Sequence, residues 1–323
     1  MIPYAILGTN WISEEFHAAS LHSDLALSGI CSRSREKGQA FAQKIGQPDV
    51  PVYTSLEALC AAPDMQAVYV ASPNSLHAAQ SEALLRGKKH VLCEKPIVTR
   101  PEDLARLQTL AREKGLAYME AIMYLCTPAR AAVKEALPEL GEITSVHFDF
   151  SQLSSRCDEW AAGHVPNVFR PGMQGGAWND LGIYCIYPAL DFFGLPQGVL
   201  ALSRLLPNGI DAAGAALLKY PGFPLTLTWS KFGQSRGVSQ ILGTKGTITI
   251  RSISQFQGVT FHPRHGEPRE LAAPMQKHEV MRFEARAFCD YILGRPNPVP
   301  YEEASALALA VARGMEEVRG AWR

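Results

Sequence analysis

The sequence of 323 residues predicts an α/β protein, in which an N-terminal doubly wound parallel sheet precedes an α+β domain with a mostly antiparallel sheet. The length favours two domains, because single domains usually contain ~100–200 residues. In the first third, short apolar runs alternate with helix-length segments, a pattern typical of repeated βαβ units. After about Ala121, polar and apolar residues alternate one by one, which indicates strands with one buried face. We therefore expect domains at 1–122 and 123–323.

The first domain is predicted from apolar runs that are short enough for strands and suit a sheet buried on both faces. These runs are residues 4–7, 25–31, 67–71, 90–94 and 116–121. Helices are predicted at 74–86, beginning at an N-capping Asn or Ser, and at 103–114, with leucines on one face. Because a doubly wound sheet binds ligands beyond the carboxyl ends of its strands, the loops after these runs are the candidate site.

The second domain is predicted from period-two alternation. Residues 146–151 place Val, Phe and Phe on one face and His, Asp and Ser on the other, and residues 225–230 alternate in the same way. Residues 245–250 provide another strand, and helices return at 280–293 and 302–318. An antiparallel sheet with late helices is the architecture that this order predicts.

The composition argues against several classes of function. The 31 Lys and Arg residues balance 31 Asp and Glu, so no broad basic surface is available for nucleic acid or an anionic membrane. No apolar run approaches the ~20 residues of a membrane helix, and the first strand begins at Ile2 without a leader. The seven cysteines are scattered without a CxxC pair, which favours reduced thiols, a cytoplasmic location and no metal site.

The segment AILGTNWIS, after the first predicted strand, resembles an incomplete GxGxxG turn. Gly8 stands at the first glycine position, whereas Asn10 and Ser13 replace the second and third. Asn tolerates a left-handed backbone and Ser is small, so a dinucleotide pyrophosphate could still bind at the helix N-terminus. We predict Asn10 in a left-handed or otherwise glycine-like conformation there, although an ordinary strand-to-helix turn is the alternative. The predicted contacts are Gly8, Thr9, Asn10, Trp11 and Ile12.

The end of the second strand indicates which dinucleotide binds. NAD-specific domains place an acidic residue there, which would repel the extra phosphate of NADP. Here the chain offers Ser32, Arg33 and Lys37, with Glu36 as the acid nearby. Hydroxyl and guanidinium groups suit a phosphate monoester, so NADP is expected and NAD is possible. The alternative is a set of solvated charges at the start of a helix.

Four downstream motifs occur together in a recognisable order. They are the segment 70–96 ending in EKP, then MEAIMY, GGAWNDLGIY and ILGTKGTI. This order resembles the glucose–fructose oxidoreductase, inositol dehydrogenase and MocA family over nearly the whole chain. The resemblance implies a Rossmann domain, a large open C-terminal sheet, and hydride transfer between NAD(P) and a sugar or polyol alcohol. It also implies a homodimer or homotetramer formed through that sheet.

The resemblance assigns roles to residues of this chain. It implies that the lysine of EKP assists catalysis, that the peptide before the proline is commonly cis, and that the substrate pocket includes Tyr124 and Arg170. The residues that it implies at the cofactor are Ser72, Pro73, Asn74, His77, Glu94, Lys95 and Pro96.

Asp180 and Tyr184 complete the predicted catalytic set with Lys95. Their i, i+4 spacing places both on one face of a helix. Most family members have His at the second position, so Tyr184 points to the branch that resembles dimeric dihydrodiol dehydrogenase. A phenol with an ordinary pKa of ~10 needs a nearby cation to act as a base, and Lys95 could supply it. Tyr187, one turn later, is a rival for this role.

Three functions remain open from the sequence. The first is an NADP-preferring dehydrogenase for sugars or polyols, and the second is an aromatic trans-dihydrodiol dehydrogenase or dicarbonyl reductase. The third is a non-catalytic dinucleotide-binding sensor. A sensor has no need to retain Lys95, Asp180 and Tyr184 together, which favours an enzyme.

Overall fold

The computed structural model describes residues 1–322, which divide into two compact units. The first unit comprises Met1–Ile122 together with Gln276–Ala306. The second comprises Met123–Met275 and the chain from Leu307 onward. The segment 276–306 therefore belongs to the first unit, whereas the sequence-based boundary after residue 122 left it in the second domain.

The first unit contains a six-stranded, all-parallel sheet with the order β3-β2-β1-β4-β5-β6. The doubly wound sheet predicted from the sequence is confirmed. Fully buried Ile6, Val68 and Leu92 lie on β1, β4 and β5, three of its four inner strands. The two-residue strand β3 was missed because it is too short to show a pattern. The elements are β1 (Ile2–Leu7), α1 (Trp11–Ser20), β2 (Leu25–Cys31), α2 (Arg35–Lys44), β3 (Val52–Tyr53), α3 (Leu56–Ala61), β4 (Ala67–Val70), α4 (Asn74–Arg86), β5 (His90–Glu94), α5 (Pro101–Glu113) and β6 (Tyr118–Ala121).

The second unit contains an eight-stranded sheet with the order β14-β13-β12-β11-β7-β10-β9-β8. Only β7 and β10 pair in parallel, so the mostly antiparallel sheet predicted from the sequence is confirmed. The remaining elements of the chain are α6 (Met123–Cys126), α7 (Pro128–Ala136), β7 (Ile143–Ser151), α8 (Cys157–Ala161), α9 (Ile183–Phe193), β8 (Gly198–Leu205), β9 (Asp211–Tyr220), β10 (Phe223–Ser230), β11 (Ser239–Gly243), β12 (Gly246–Ser252), β13 (Gln257–Pro263), β14 (Arg269–Ala272), α10 (Lys277–Leu293) and α11 (Tyr301–Gly320).

Helix α10 belongs to the first unit because it packs along α1. Arg286 of α10 donates from Nε to the carbonyl oxygen of His22 at 3.2 Å, and Arg295 pairs with Asp24. The helix begins three residues earlier than predicted, since Gln276 and Glu279 form a capping box. These contacts attach a C-terminal helix to the parallel sheet.

Candidate functional site

The turn after β1 is set by Gly8, at the position where the strand order of the parallel sheet reverses. Gly8 has a φ of +111°, and a Cβ there would lie 2.4 Å from the carbonyl oxygen of Ala71, just after β4. Its N–H donates to the carbonyl oxygen of Cys31 at 3.1 Å, at the end of β2. The turn thus brings the ends of three strands together and excludes any side chain at position 8. This is the tight turn that the first glycine of the fingerprint makes.

The prediction for Asn10 is wrong. Asn10 has φ −110° and ψ 176°, which is extended backbone, and it caps α1. Its Oδ1 accepts from the N–H groups of Ile12 at 3.1 Å and Ser13 at 3.3 Å, while Nδ2 donates to the Ala71 carbonyl oxygen at 2.7 Å. The Ser13 hydroxyl also donates to the Gly8 carbonyl oxygen at 2.8 Å. Side chains, rather than a glycine-like backbone, therefore fix this turn.

The end of β2 presents basic side chains to solvent. Arg33 and Lys37 are exposed, and the backbone N–H of Ser32 donates to the carbonyl oxygen of Tyr53 at 3.0 Å. Glu36 is held by the Ser34 hydroxyl at 2.5 Å, a hydrogen bond that lowers the pKa of the Glu36 carboxyl. The carboxylate is thus tied into the cap of α2. Two exposed cationic side chains beside a hydroxyl suit a phosphate monoester.

His77 links the segments that come after β4 and β5. Its ring is 1% exposed, with Nδ1 2.8 Å from the Pro96 carbonyl oxygen and Nε2 2.8 Å from the Ser72 carbonyl oxygen. Burial lowers the pKa of His77, since desolvation outweighs the two carbonyl contacts. Helix α4 begins differently from the prediction, because Pro73 is the N-cap and no side chain caps the helix. Asn74 is therefore the first helical residue.

The EKP segment comes directly after β5, and the Lys95–Pro96 peptide is cis, as the resemblance implies. Glu94 accepts a hydrogen bond from the Tyr69 hydroxyl at 2.5 Å and another from the Lys95 N–H at 3.2 Å. Burial raises the pKa of the Glu94 carboxyl, against these hydrogen bonds. The backbone of Lys95 is thus positioned by the acid that precedes it.

Helix α10 adds two residues to this region that sequence reasoning missed. Lys277 lies 4.4 Å from the centroid of the Trp11 ring, at the start of α1. Glu284 is 1% exposed, and among residues 1–322 its carboxyl oxygens find no hydrogen-bond donor. Burial, followed by the charge of Glu94, raises the pKa of Glu284 well above its usual value. No local motif marked either residue. Both lie about 180 to 190 residues beyond EKP, in a segment predicted only as an amphipathic helix.

In the second unit, tight packing positions the segment before Asp180. Gly176 has a φ of +92°, and a Cβ there would lie 2.1 Å from Oδ1 of Asp211. The other oxygen of Asp211 accepts the N–H of Trp178 at 2.5 Å. A Cβ at Gly182 would lie 2.0 Å from the Trp178 ring. These two glycines of GGAWNDLGIY are therefore required by close contacts.

The sequence predicts Asp180 and Tyr184 on one face of a regular helix, and the structure differs from this prediction. Asp180 lies in a π-helical turn, Trp178–Gly182, and Tyr184 lies in the first turn of α9. Single π turns are rare and occur frequently at functional sites. Tyr184 is 8% exposed, and its ring contacts Phe150 edge to face at 5.5 Å between centroids.

Lys231 was not predicted from the sequence, yet it forms an ion pair with Asp180. The Lys231 side chain is 8% exposed and the Asp180 side chain 34%. The two residues are 51 positions apart, and Lys231 comes after β10 without a recognisable motif. Only the fold brings them together.

The remaining predicted residues differ in accessibility. Tyr187 is fully buried and packs on Tyr124, with ring centroids 6.2 Å apart. Tyr124 is also fully buried, and its hydroxyl donates to Asp191, which pairs with Arg130 at 2.7 Å. This network favours a structural role for Tyr124. Arg170 is exposed and donates from Nε to the carbonyl oxygen of Val165 at 2.7 Å.

Two kinds of feature are absent from the described part of the chain. Residues 1–322 contain no group of three or more His, Cys, Asp or Glu side chains placed to hold a metal ion. Over the same residues, no helix is both long enough and apolar enough to span a membrane.

The fold and both candidate regions agree with one family. Residues 2–122 match the model described as "Oxidoreductase family, NAD-binding Rossmann fold", and residues 129–249 match the "GFO/IDH/MocA C-terminal domain". The protein belongs to the Gfo/Idh/MocA family of oxidoreductases. The resemblance seen in the sequence motifs is thereby confirmed.

Particular relatives narrow the comparison. The chain is 35% identical to the scyllo-inositol 2-dehydrogenase (NADP(+)) IolU of Bacillus subtilis, over 99% of this chain and 96% of IolU. It is 30% identical to a trans-1,2-dihydrobenzene-1,2-diol dehydrogenase of Macaca fascicularis, over 76% of this chain and 73% of that protein. Among solved structures it is similar to the 3-ketoreductase KijD10 of Actinomadura kijaniata, in complex with NADP and TDP-benzene. That comparison gives a TM-score of 0.85 and 26% identity, over 100% of this chain and 98% of KijD10.

Proposed function

We propose that the protein is an NADP-preferring dehydrogenase or reductase that acts on the CH–OH group of a sugar or polyol. The observation that carries the proposal is the Asp180–Tyr184 segment, where a phenol and an ion-paired carboxylate stand on one π-to-α helical junction. IolU, by its name, is an NADP-dependent inositol dehydrogenase, and KijD10 is a ketoreductase in complex with NADP, which supports the same chemistry here.

The residues present fit a dinucleotide. The Gly8 turn has no space for a Cβ, and Arg33 and Lys37 are exposed beside Ser32 for the 2′-phosphate. When bound, NADP supplies the hydride chemistry of the reaction. The other residues proposed at the cofactor are Thr9, Asn10, Trp11, Ile12, Ser72, Pro73, Asn74, His77, Glu94, Lys95 and Pro96.

In the proposed reaction, Tyr184 removes the hydroxyl proton of the substrate during oxidation and returns it during reduction. Lys95 favours the phenolate and stabilises the developing alkoxide, while Asp180 orients the substrate hydroxyl. Tyr187 is a poorer candidate because its side chain is fully buried. Arg170, which is exposed, is proposed to contribute to substrate binding; for Tyr124 the buried hydroxyl supports a packing role instead.

The experiment is a panel of aldoses, cyclitols and aromatic trans-dihydrodiols, read at the nicotinamide absorbance with NADP and NAD in parallel. Turnover on cyclitols or sugars with NADP is expected. Turnover confined to dihydrodiols or dicarbonyls would favour the second enzyme class, which the similarity to a dihydrodiol dehydrogenase supports. Tight NADP binding without hydride transfer on any substrate would favour a sensor. Equal turnover with NAD would contradict the role proposed for Ser32, Arg33 and Lys37.

We also propose that the protein forms a homodimer or homotetramer through the second sheet and acts in the cytoplasm. Leu200 and Leu202 on β8 are 63% and 64% exposed, and Leu200 pairs with Leu217 of β9, which is 43% exposed. A contiguous apolar face of this kind is typical of subunit contacts. All seven cysteines lie within residues 1–322 and form no disulfide there, which suits a reducing compartment. A Leu200→Glu and Leu202→Glu double variant is expected to lower the mass measured by light scattering.

A further inference from the structure

Lys231 is a buried cation whose backbone is held by hydrogen bonds to two neighbouring segments. Its N–H donates to the carbonyl oxygen of Ala212 at 2.9 Å, and its carbonyl oxygen accepts the N–H of Ser154 at 2.8 Å. The side chain, 8% exposed, ends on Asp180. The backbone is thus held by β9 and by the segment after β7, and burial together with the ion pair places the ammonium next to the carboxylate.

The pairing matters because Tyr184 comes four residues after Asp180 in the chain. An ionised carboxylate near a phenol opposes formation of the phenolate. Tyr184 is 8% exposed and the Asp180 side chain 34%, so this opposition is screened less than it would be between two groups in open water. A positive charge paired with Asp180 offsets the unfavourable effect of the carboxylate on the phenolate. A family member that uses Tyr rather than His as the acid or base therefore gains from a cation at this position.

We propose that Lys231 is a positioning residue for the reaction: it neutralises and orients Asp180, so that Asp180 can accept a hydrogen bond from the substrate hydroxyl without disfavouring the phenolate of Tyr184. The inference rests on the proposed function, in which Tyr184 exchanges the proton.

Arg319, a half-buried cation of this unit, has other partners. Arg319 of α11 donates to Oδ1 of Asn179 at 2.5 Å, and its charge acts on Asp211 of β9. Burial raises the pKa of the Asp211 carboxyl, and burial lowers the pKa of the Arg319 guanidinium. Asp211 and Arg319 therefore interact electrostatically with each other, and they contact the π turn through Trp178 and Asn179.

Two thiols and one carboxylate of the second unit lie close in sequence to Tyr184 or on elements that contact Lys231 or Tyr184. Burial raises the pKa of Cys157, the first residue of α8, and raises the pKa of Cys185 in α9 well above its usual value, so burial favours the neutral thiol at both positions. Asp149 of β7 accepts hydrogen bonds from Ser151 at 2.8 Å and Thr228 at 2.5 Å. None of these three groups carries a positive charge, whereas the Lys231 ammonium forms an ion pair with Asp180.

The test is the pH dependence of kcat in the oxidation direction, measured on wild type, Lys231→Met and Lys231→Arg. For Lys231→Met we expect kcat at neutral pH to fall roughly tenfold, and the pH of half-maximal kcat to rise by about one unit, the size of a nearby one-charge effect. Lys231→Arg keeps the charge, so its kcat at neutral pH and its pH of half-maximal kcat are expected to lie close to those of wild type. Lys134→Met is the matched control, because it also removes one lysine of a carboxylate pair in the second unit, Lys134–Asp191 at 2.8 Å, and should leave the profile in place.

A double variant, Asp180→Asn with Lys231→Met, separates electrostatics from folding. It removes both charges of the pair, so it is expected to fold and to return the pH of half-maximal kcat to the wild-type position. Its KM is expected to rise, because Asp180 no longer accepts from the substrate hydroxyl. If Lys231→Met lowers kcat but leaves the pH of half-maximal kcat unchanged, Lys231 has a structural role and the inference is overturned. If Lys231→Met does not fold, the double variant supplies the test. A pH of half-maximal kcat that is higher in the double variant than in wild type would also overturn the inference. Tyr184→Phe distinguishes the two proposals: retained turnover there defeats the proposed function, whereas loss there with an unshifted Lys231→Met defeats only this inference.

Discussion

The turn after β1 and the Asp180–Tyr184 segment both depart from the expected motif, and the structure accommodates the two departures differently. In the turn, Asn10 replaces a glycine, and its side chain takes over by capping α1 and donating to Ala71. The compensation is local, within the same loop and its neighbouring strand end. In the second segment, Tyr184 stands where the resemblance leads one to expect His, and the cation paired with the neighbouring Asp180 is Lys231, 51 residues away in the chain.

The difference shows which departures can be interpreted from sequence. A local substitution can be judged by what the new side chain can bond to within a few residues. A change of acid or base alters the electrostatics of its surroundings, and the compensating group can come from any element that packs there. The first kind of change concerns binding, so variants of the turn should lose NADP affinity. The second concerns catalysis, so variants of the Asp180–Tyr184 segment should lose kcat.

Tyr184→Phe should have the largest effect. Loss of the group that exchanges the proton is expected to lower kcat by ~10²–10⁴-fold, with little change in the affinity for NADP. Steady-state kinetics and a fluorescence titration of NADP measure the two quantities. Tyr187→Phe is the matched control, since that ring is fully buried one turn later. Loss of turnover in Tyr187→Phe, with wild-type turnover in Tyr184→Phe, would reverse the assignment.

Gly8→Ala should have the next largest effect, and on binding rather than on chemistry. A Cβ at position 8 would lie 2.4 Å from the Ala71 carbonyl oxygen, so the strand ends must separate. We expect NADP affinity to fall at least tenfold, which corresponds to ~1.4 kcal/mol. Gly46→Ala is the control, because Gly46 also has positive φ, +72°, but nothing lies within 4 Å of its Cβ position. Equal losses of affinity in both variants would mean that the close approach at Gly8 has no role in binding.

The sequence was sufficient for the parallel sheet, the antiparallel sheet and the position of EKP, because each is encoded in local periodicity or a contiguous motif. It correctly singled out Asn10 as unusual but assigned it the wrong conformation, since φ cannot be inferred when a side chain can cap instead. Lys231 and Glu284 could not be found, because their significance arises from burial beside Asp180 and Glu94, which the sequence does not reveal. Tyr124 was placed in the substrate pocket by resemblance alone, and its hydrogen bond to Asp191 was equally invisible.

Asn10→Ala should have a moderate effect on both stability and NADP affinity. Losing the cap of α1 and the hydrogen bond to Ala71 is expected to lower the free energy of unfolding by ~1 kcal/mol and NADP affinity a few-fold. Urea denaturation and NADP titration measure these quantities. Ser55→Ala removes the cap of α3 in the same unit, where the Ser55 hydroxyl accepts from Ala58 at 3.1 Å, and should cost stability alone. If Asn10→Gly binds NADP more tightly than wild type, a glycine-like role for position 10 would be restored.

The smallest expected effect concerns pH and the link that His77 makes between the segments after β4 and β5. Burial lowers the pKa of His77 below its ordinary value of 6.5, so the unfolded chain binds a proton more readily than the folded protein does. The stabilisation is therefore complete above pH ~6.5 and is lost as the pH falls through the folded pKa. Urea denaturation at pH 7.5 and pH 5 should show a smaller acid-induced loss in His77→Gln than in wild type. Part of the loss will remain, because burial also lowers the pKa of His17 and His90. His164→Gln, at an exposed position, is the control. An acid-induced loss in His77→Gln as large as that of wild type would show that the buried imidazole does not set this pH dependence, and that its two carbonyl contacts hold the segments equally well at either pH.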